Sequence, residues 1–184
     1  PEIGESEFKK TWLDEIKSWP SPKPEDEGIS LVKSTLEHLP KTYGQIGAEL
    51  GKEMAIRMPV RDLLKLKETV KTNIVDGSDA IWDMRMVKTN AEIERIKFIC
   101  SIARDAFKYL PSKLLIGESE RDAVNKLKID ILKRGADNVP FMPGISGYGG
   151  VSQIVCGPSD SILENGNILF IDTGSTFDGY FCDF

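Results

Sequence analysis

Apolar residues at Ile29, Leu31, Val32, Leu36 and Leu39 recur at close to helical spacing and stop at Pro40, which predicts a helix from Ile29 to Leu39. Gly44 to Leu50 then reads as a short strand, Val60 to Leu66 as a helix opening behind Pro59, and Asn73 to Gly77 as a second strand ending in a turn. Strand, helix, strand predicts an α/β layer. Residues 1–30 are polar and punctuated by Pro20, Pro22 and Pro24, with Trp12 and Trp19 as isolated anchors. Asp26 and Gly28 lead out of them.

From Asp79 to Lys88 the character changes without declaring an element. Thr89 and Glu92 then have the spacing of a capping box, in which each side chain satisfies a backbone N–H of the other. Ile93, Ile96, Ile99, Cys100, Ala103 and Ala106 mark one face of a long helix that Leu110-Pro111 ends. A second helix starts at the cap residue Ser119, buries Ala123, Leu127, Asp130 and Ile131, and stops at Gly135 behind the basic pair Lys133-Arg134. From Phe141 onward the pattern switches to period two with Gly-rich turns. Asn165-Gly166 is a turn signal, and Ile168 to Ile171 is apolar on both faces, as in a strand buried between layers. The class is α+β.

Composition narrows the function. The 184 residues are 40% hydrophobic and 29% charged, those of a globular protein. No run approaches the roughly 18 apolar residues of a membrane span, and a net charge of −5 without a Lys/Arg block argues against a nucleic-acid surface. Cys100, Cys156 and Cys182 are an odd, widely spaced set with no C-x-x-C pair, which fits a reducing, cytoplasmic setting better than disulfides or a zinc ribbon. His38 is the one histidine, so any metal within this chain must sit on carboxylates. The chain opens at Pro1 and stops at Phe184 inside an expected strand, so it reads as a piece of something larger.

The candidate chemistry lies in Asp172-Thr173-Gly174 through Cys182-Asp183. A turn centred on Phe177-Asp178 would set Asp172 opposite Asp183, with Cβ atoms about 4.5–5.5 Å apart. A turn centred on Asp178-Gly179 would make them diagonal neighbours on the same face. Two carboxylates aimed at one spot repel unless a cation lies between them, and oxygen ligands suit Mn, Fe, Co or Mg. Aspartates near a hairpin also serve as surface or turn-capping residues, but Asp172 directly follows the buried run, where a carboxylate without a partner is costly. Asp178, ahead of a glycine in a turn, is explained by backbone geometry and is left out of the site.

Asp172-x-Gly174, Gly179-Tyr180 and Asp183 resemble the first metal-binding hairpin of the creatinase, aminopeptidase P and prolidase family, whose catalytic domain has the pita-bread fold. Met84 to Ile96 resembles the opening of that domain, and Gly44 to Gly77 the last strands of the creatinase-like N-terminal domain. The resemblance implies residues 1–83 as the end of an α/β N-terminal domain and 84–184 as the first half of a pita-bread domain. It also implies a pair of divalent ions, manganese first with cobalt, iron or zinc as alternatives, held by Asp172, Asp183 (the bridging carboxylate) and one His and two Glu further along. The expected function is hydrolysis of an Xaa-Pro or similar small amide bond by a metal-activated water, in a homodimer, with residues 1–184 alone inactive. The rivals are a hydrolase of a small non-peptide amide, of the creatinase or ectoine-hydrolase kind, and a non-catalytic pita-bread binding module.

One departure bears on substrate. Peptidases of this family carry a His about seventeen residues before the first Asp, a place that falls at Val155 here, and Cys156 to Gly166 contains none. Gly147, Tyr148, Gly149 and Gly150 could line the pocket mouth or simply make a tight turn. Cys182 is expected as a small buried residue, Trp82 as a packing anchor, and His38 as a solvated helix-end residue.

Overall fold

The structure is a computed structural model that describes residues 2–40 and 42–184; Pro1, where the chain opens, lies outside the described residues. The chain divides into two compact units, Pro1–Val87 and Lys88–Phe184.

In the first unit a short helix α1 (Glu5–Phe8) precedes α2 (Ile29–His38), β1 (Gln45–Ala48), α3 (Val60–Thr69), β2 (Asn73–Asp76) and α4 (Ser78–Met86). β1 and β2 pair in parallel, Gln45 with Asn73 through Ala48 with Asp76, so the expected strand-helix-strand layer is present. Leu66, Val70 and Ile74 form its core, covered by Ile29, Val32 and Leu36 of α2. Gly47 and Gly77 let the strand ends meet, since a Cβ on Gly77 would lie 2.9 Å from the Gly47 Cα. Two expectations are corrected. Trp12 is 89% exposed and anchors nothing, whereas the Trp19 ring lies against Gly28 and donates its indole N–H to Glu27 at 3.1 Å. The undeclared stretch from Asp79 is mostly α4: the Asp76 carboxylate accepts from the Ser78 N–H and hydroxyl, starting the helix in place of a cap side chain.

The second unit packs α5 (Asn90–Tyr109) and α6 (Glu120–Lys133) against antiparallel strands β3 (Asn138–Phe141), β4 (Gly144–Tyr148), β5 (Asn167–Ile171), β6 (Gly174–Phe177) and β7 (Tyr180–Asp183). Both expected caps form: the Thr89–Glu92 box is complete, and the Ser119 hydroxyl accepts from the Asp122 N–H. Gly135, at φ 108, follows α6 as the left-handed stop. Ile99, Ile102, Ala103 and Ala106 of α5 meet Leu127 and Ile131 of α6 and Val139 and Cys182 of the strands in one core.

β3–β6 and β4–β5 are successive stretches of one long antiparallel arm, interrupted where Met142-Pro143 faces Asp172-Thr173. Pro140 and Pro143 lack the N–H a ladder needs, and the register shifts inside β3. Ile168 is 54% exposed, so β5 is not buried between layers. Among the described residues its one paired strand is β4.

Candidate metal-binding hairpin and its neighbouring loop

β6 and β7 form a tight hairpin in which Phe177 pairs with Tyr180, Thr176 with Phe181, Ser175 with Cys182 and Gly174 with Asp183. The turn is therefore centred on Asp178-Gly179, not Phe177-Asp178. Both turn residues have positive φ, 47° and 79°, the requirement of a type I′ turn that matches strand twist. The ladder runs one step past the strands, where Thr173 and Phe184 exchange N–H and C=O bonds, both 3.0 Å. Asp172 and Asp183 are thus diagonal neighbours, a separation of roughly 7–8 Å in such ladders.

Alternation sorts the side chains. Thr173, Ser175 and Cys182 are buried towards the helices, where the Cys182 thiol lies 3.1 Å from the Ser175 hydroxyl; this is the small buried role expected of Cys182. Gly174, Phe181, Asp183 and Asp172 belong to the opposite face. There the Phe141 and Phe181 rings stack with centroids 6.0 Å apart, directly over Gly174. A Cβ on Gly174 would lie 2.0 Å from Phe181 and 2.3 Å from Phe141, so only glycine fits. Asp172 is half-buried at the arm's interruption, its N–H donating to the Pro143 carbonyl at 3.1 Å, and Asp183 is exposed.

The hairpin is strapped to α5. The Tyr180 hydroxyl donates to Glu92 at 3.1 Å, Arg95 forms an ion pair with Asp178, and the Asp178 N–H donates to the Asp137 carboxylate at 2.7 Å. Asp178 is thereby spent on the turn and the strap. The carboxylates of Asp172 and Asp183 make no hydrogen bond or ion pair among the described residues, and as hard oxygen donors on one open face they fit a divalent cation. Among the described residues no group of three or more His, Cys, Asp or Glu converges as a metal site.

Sequence reasoning missed Glu120. This first residue of α6 is 2% exposed and accepts four hydrogen bonds: from the N–H and hydroxyl of Ser146 at 2.6 and 2.8 Å, and from the N–H and hydroxyl of Ser159 at 3.0 and 2.7 Å. Burial alone would raise its carboxyl; the Ser159 and Ser146 bonds outweigh it and hold the group at about 2. Gly149 and Gly150 have positive φ, and a Cβ on Gly147 would lie 2.4 Å from the Gly150 carbonyl, so this stretch is a tight turn. Tyr148 projects from it at 84% exposure. His38 ends α2, exposed, with its Nδ1 2.6 Å from the Ser34 carbonyl, and the Trp82 indole N–H donates to the Lys52 carbonyl at 3.4 Å.

Residues 94–184 match metallopeptidase family M24. The chain is 30% identical over 135 residues to the Xaa-Pro dipeptidase of Pyrococcus furiosus, an alignment covering 73% of this chain and 38% of that protein. It is 28% identical over 147 residues to the probable dipeptidase PepE of Mycobacterium tuberculosis, covering 77% and 39%. Among solved structures, the prolidase from Pyrococcus furiosus matches with a TM-score of 0.78 at 24% identity, over 100% of this chain and 52% of that one. The X-Pro aminopeptidase from Thermotoga maritima matches with a TM-score of 0.76 at 24% identity, over 99% and 49%. These structures carry the expected α+β class and pita-bread arrangement. The chain spans about half the length of the solved structures it matches and about two fifths of these two relatives.

Proposed function

We propose that the whole protein is a metal-dependent hydrolase of the Xaa-Pro aminopeptidase or dipeptidase type, from the premise that residues 94–184 match metallopeptidase family M24. The single observation that carries this reading is the pair Asp172 and Asp183, two carboxylates on one face of the hairpin that make no hydrogen bond or ion pair among the described residues. We assign residues 1–83 to the end of a creatinase-like N-terminal domain and 84–184 to the first half of the catalytic domain. The remaining ligands, one His and two Glu, would come from sequence equivalent to the part of the relatives this chain does not span.

When bound, two divalent ions, manganese first with cobalt, iron and zinc as alternatives, would activate a water and polarise the scissile carbonyl. This chain's own residues do the rest. Asp172 and Asp183 would hold the cations, and the stacked rings of Phe141 and Phe181 lie over Gly174 beside them as an apolar wall. The Tyr180–Glu92 hydrogen bond fixes the hairpin to α5 so that the two carboxylates keep their spacing.

A second reading is favoured by one feature. From Gly147 to Pro158 there is no charged residue and no histidine, so this loop offers no cation to the free carboxylate of a dipeptide and would suit a longer peptide or a small neutral amide. Metal analysis of the full-length protein, followed by assays on Xaa-Pro substrates with each metal, tests the proposal. A stoichiometric, activating divalent ion supports it; a protein that neither binds nor needs one overturns it and favours a binding module.

A further inference from the structure

The loop from Gly147 to Pro158 is closed at its base by one side chain. Ser146 stands immediately before it and Ser159 immediately after, and both donate N–H and hydroxyl to Glu120, one serine to each carboxylate oxygen. Four donors match the roughly four lone-pair directions of a carboxylate, so Glu120 is saturated without a cation. A buried carboxylate held only by neutral donors is an expensive way to fill space, and an apolar residue at the same place would stabilise the core more cheaply. What the carboxylate adds is geometry, because two planar oxygens fix two segments distant in sequence at one spacing.

The loop so held borders the candidate site. On its returning leg the Cys156 carbonyl accepts the Gly144 N–H at 3.0 Å, and the adjoining Pro143 carbonyl accepts the Asp172 N–H at 3.1 Å. The leg after Ser159 is independently zipped to the start of α6: Glu120 N–H donates to the Ser161 carbonyl at 2.9 Å, Arg121 N–H to the Ser159 carbonyl at 3.1 Å and Leu163 N–H to the Glu118 carbonyl at 2.8 Å. Ser159 is therefore a fixed post, and the Glu120 carboxylate ties Ser146 to it. Between the two posts the loop presents Tyr148, Ile154 and Val155 to solvent.

We propose that Glu120 is a positioning residue, clamping both ends of the 147–158 loop so that this uncharged, apolar-tipped loop stands as the substrate-holding wall beside Asp172. The substrate role rests on the hydrolase reading above; the clamp does not.

The test uses the full-length protein and Glu120→Gln, whose amide N–H₂ faces donors where an oxygen stood. The best substrate should show KM raised about tenfold, the scale of losing a bond to a charged group, with kcat within about threefold and metal content unchanged. Backbone amides of 147–158 should exchange with solvent about tenfold faster while those of α5 keep their rates. A lowered Tm with unchanged KM, or unchanged exchange in the loop, overturns the proposal. Should the variant not fold, Ser146→Ala and Ser159→Ala each remove one hydroxyl donor and should each raise KM two- to threefold and loosen the loop; no change in either variant overturns it. If the wild-type protein hydrolyses nothing offered, the hydrolase reading and the substrate role fall together, and loop exchange in Glu120→Gln still decides the clamp.

Discussion

Asp183 pairs across the hairpin with Gly174, and Asp172 is its diagonal neighbour, not its opposite. The space between the two carboxylates is therefore floored by backbone, and the stacked rings of Phe141 and Phe181 occupy the room a Gly174 side chain would need. A directly opposed pair would place the charges closer together than this diagonal one does.

Replacing Asp172 or Asp183 by Asn keeps the shape and removes the charge that would hold a cation in the proposed site. Because loss of a residue that merely supports a ligand typically costs 10–100-fold in metal affinity or activity, loss of the ligand itself should cost at least about 100-fold. Metal content of the purified full-length variants should fall in parallel. Asp178→Asn should leave both within about twofold, since Asn tolerates the positive φ and the ion pair with Arg95 is exposed. Equal damage at all three positions would show that the ligand set has been misassigned.

Gly174→Ala tests the floor. The added methyl cannot be accommodated without moving two rings, and overpacking of this kind costs about 1–3 kcal/mol. Urea denaturation should show that loss, and Gly174→Ala combined with Phe181→Ala should cost less than the sum of the two single changes. Strict additivity would mean that the rings do not constrain this position.

Much of the fold was legible because its punctuation is local. The Thr89 box, the Ser119 cap and the Gly135 stop are one-turn signals, and they bound α5 and α6 correctly. α4 was missed because its first N–H groups are served by Asp76 from the preceding strand, outside the usual cap position. The hairpin register could have been settled from Asp178-Gly179 alone, since Asp-Gly is the favoured type I′ pair. The apolar run Ile168–Ile171 suggested burial on both sides, but local pattern does not say how many layers a strand meets. Glu120 was illegible for a different reason. A glutamate opening a helix is explained by the dipole, and its actual partners lie 26 and 39 positions away.

Glu120 also makes the second unit sensitive to acid. Its carboxyl sits at about 2 in the folded chain, against roughly 4.3 when unfolded, so the stabilisation is complete above about pH 5 and is lost as pH falls towards 2. The linked free energy is about 3 kcal/mol. Glu120→Gln has no such titration, so its unfolding free energy should fall less than that of the wild type between pH 7 and pH 3. Other depressed carboxylates, Asp130 among them, act in the same direction and persist in both proteins. Identical acid losses in variant and wild type would show that Glu120 is not ionised as described.

Substrate choice turns on what the loop lacks. A dipeptidase must recognise a free amine and a free carboxylate together, and a carboxylate is best held by Arg, Lys or His⁺. The 147–158 loop has none of these and shows Tyr148, Ile154 and Val155 at its surface. The full-length enzyme should therefore act weakly or narrowly on Xaa-Pro dipeptides and better on Xaa-Pro-Yaa tripeptides or a small neutral amide. A panel of these with creatine and ectoine, each assayed with Mn, Co, Fe and Zn, measures it through kcat/KM. A preference of at least about tenfold is expected, the worth of one charge-assisted hydrogen bond. Broad, efficient dipeptide turnover would instead mean that residues elsewhere bind the carboxylate, and that the absence of a cation from this loop does not set specificity.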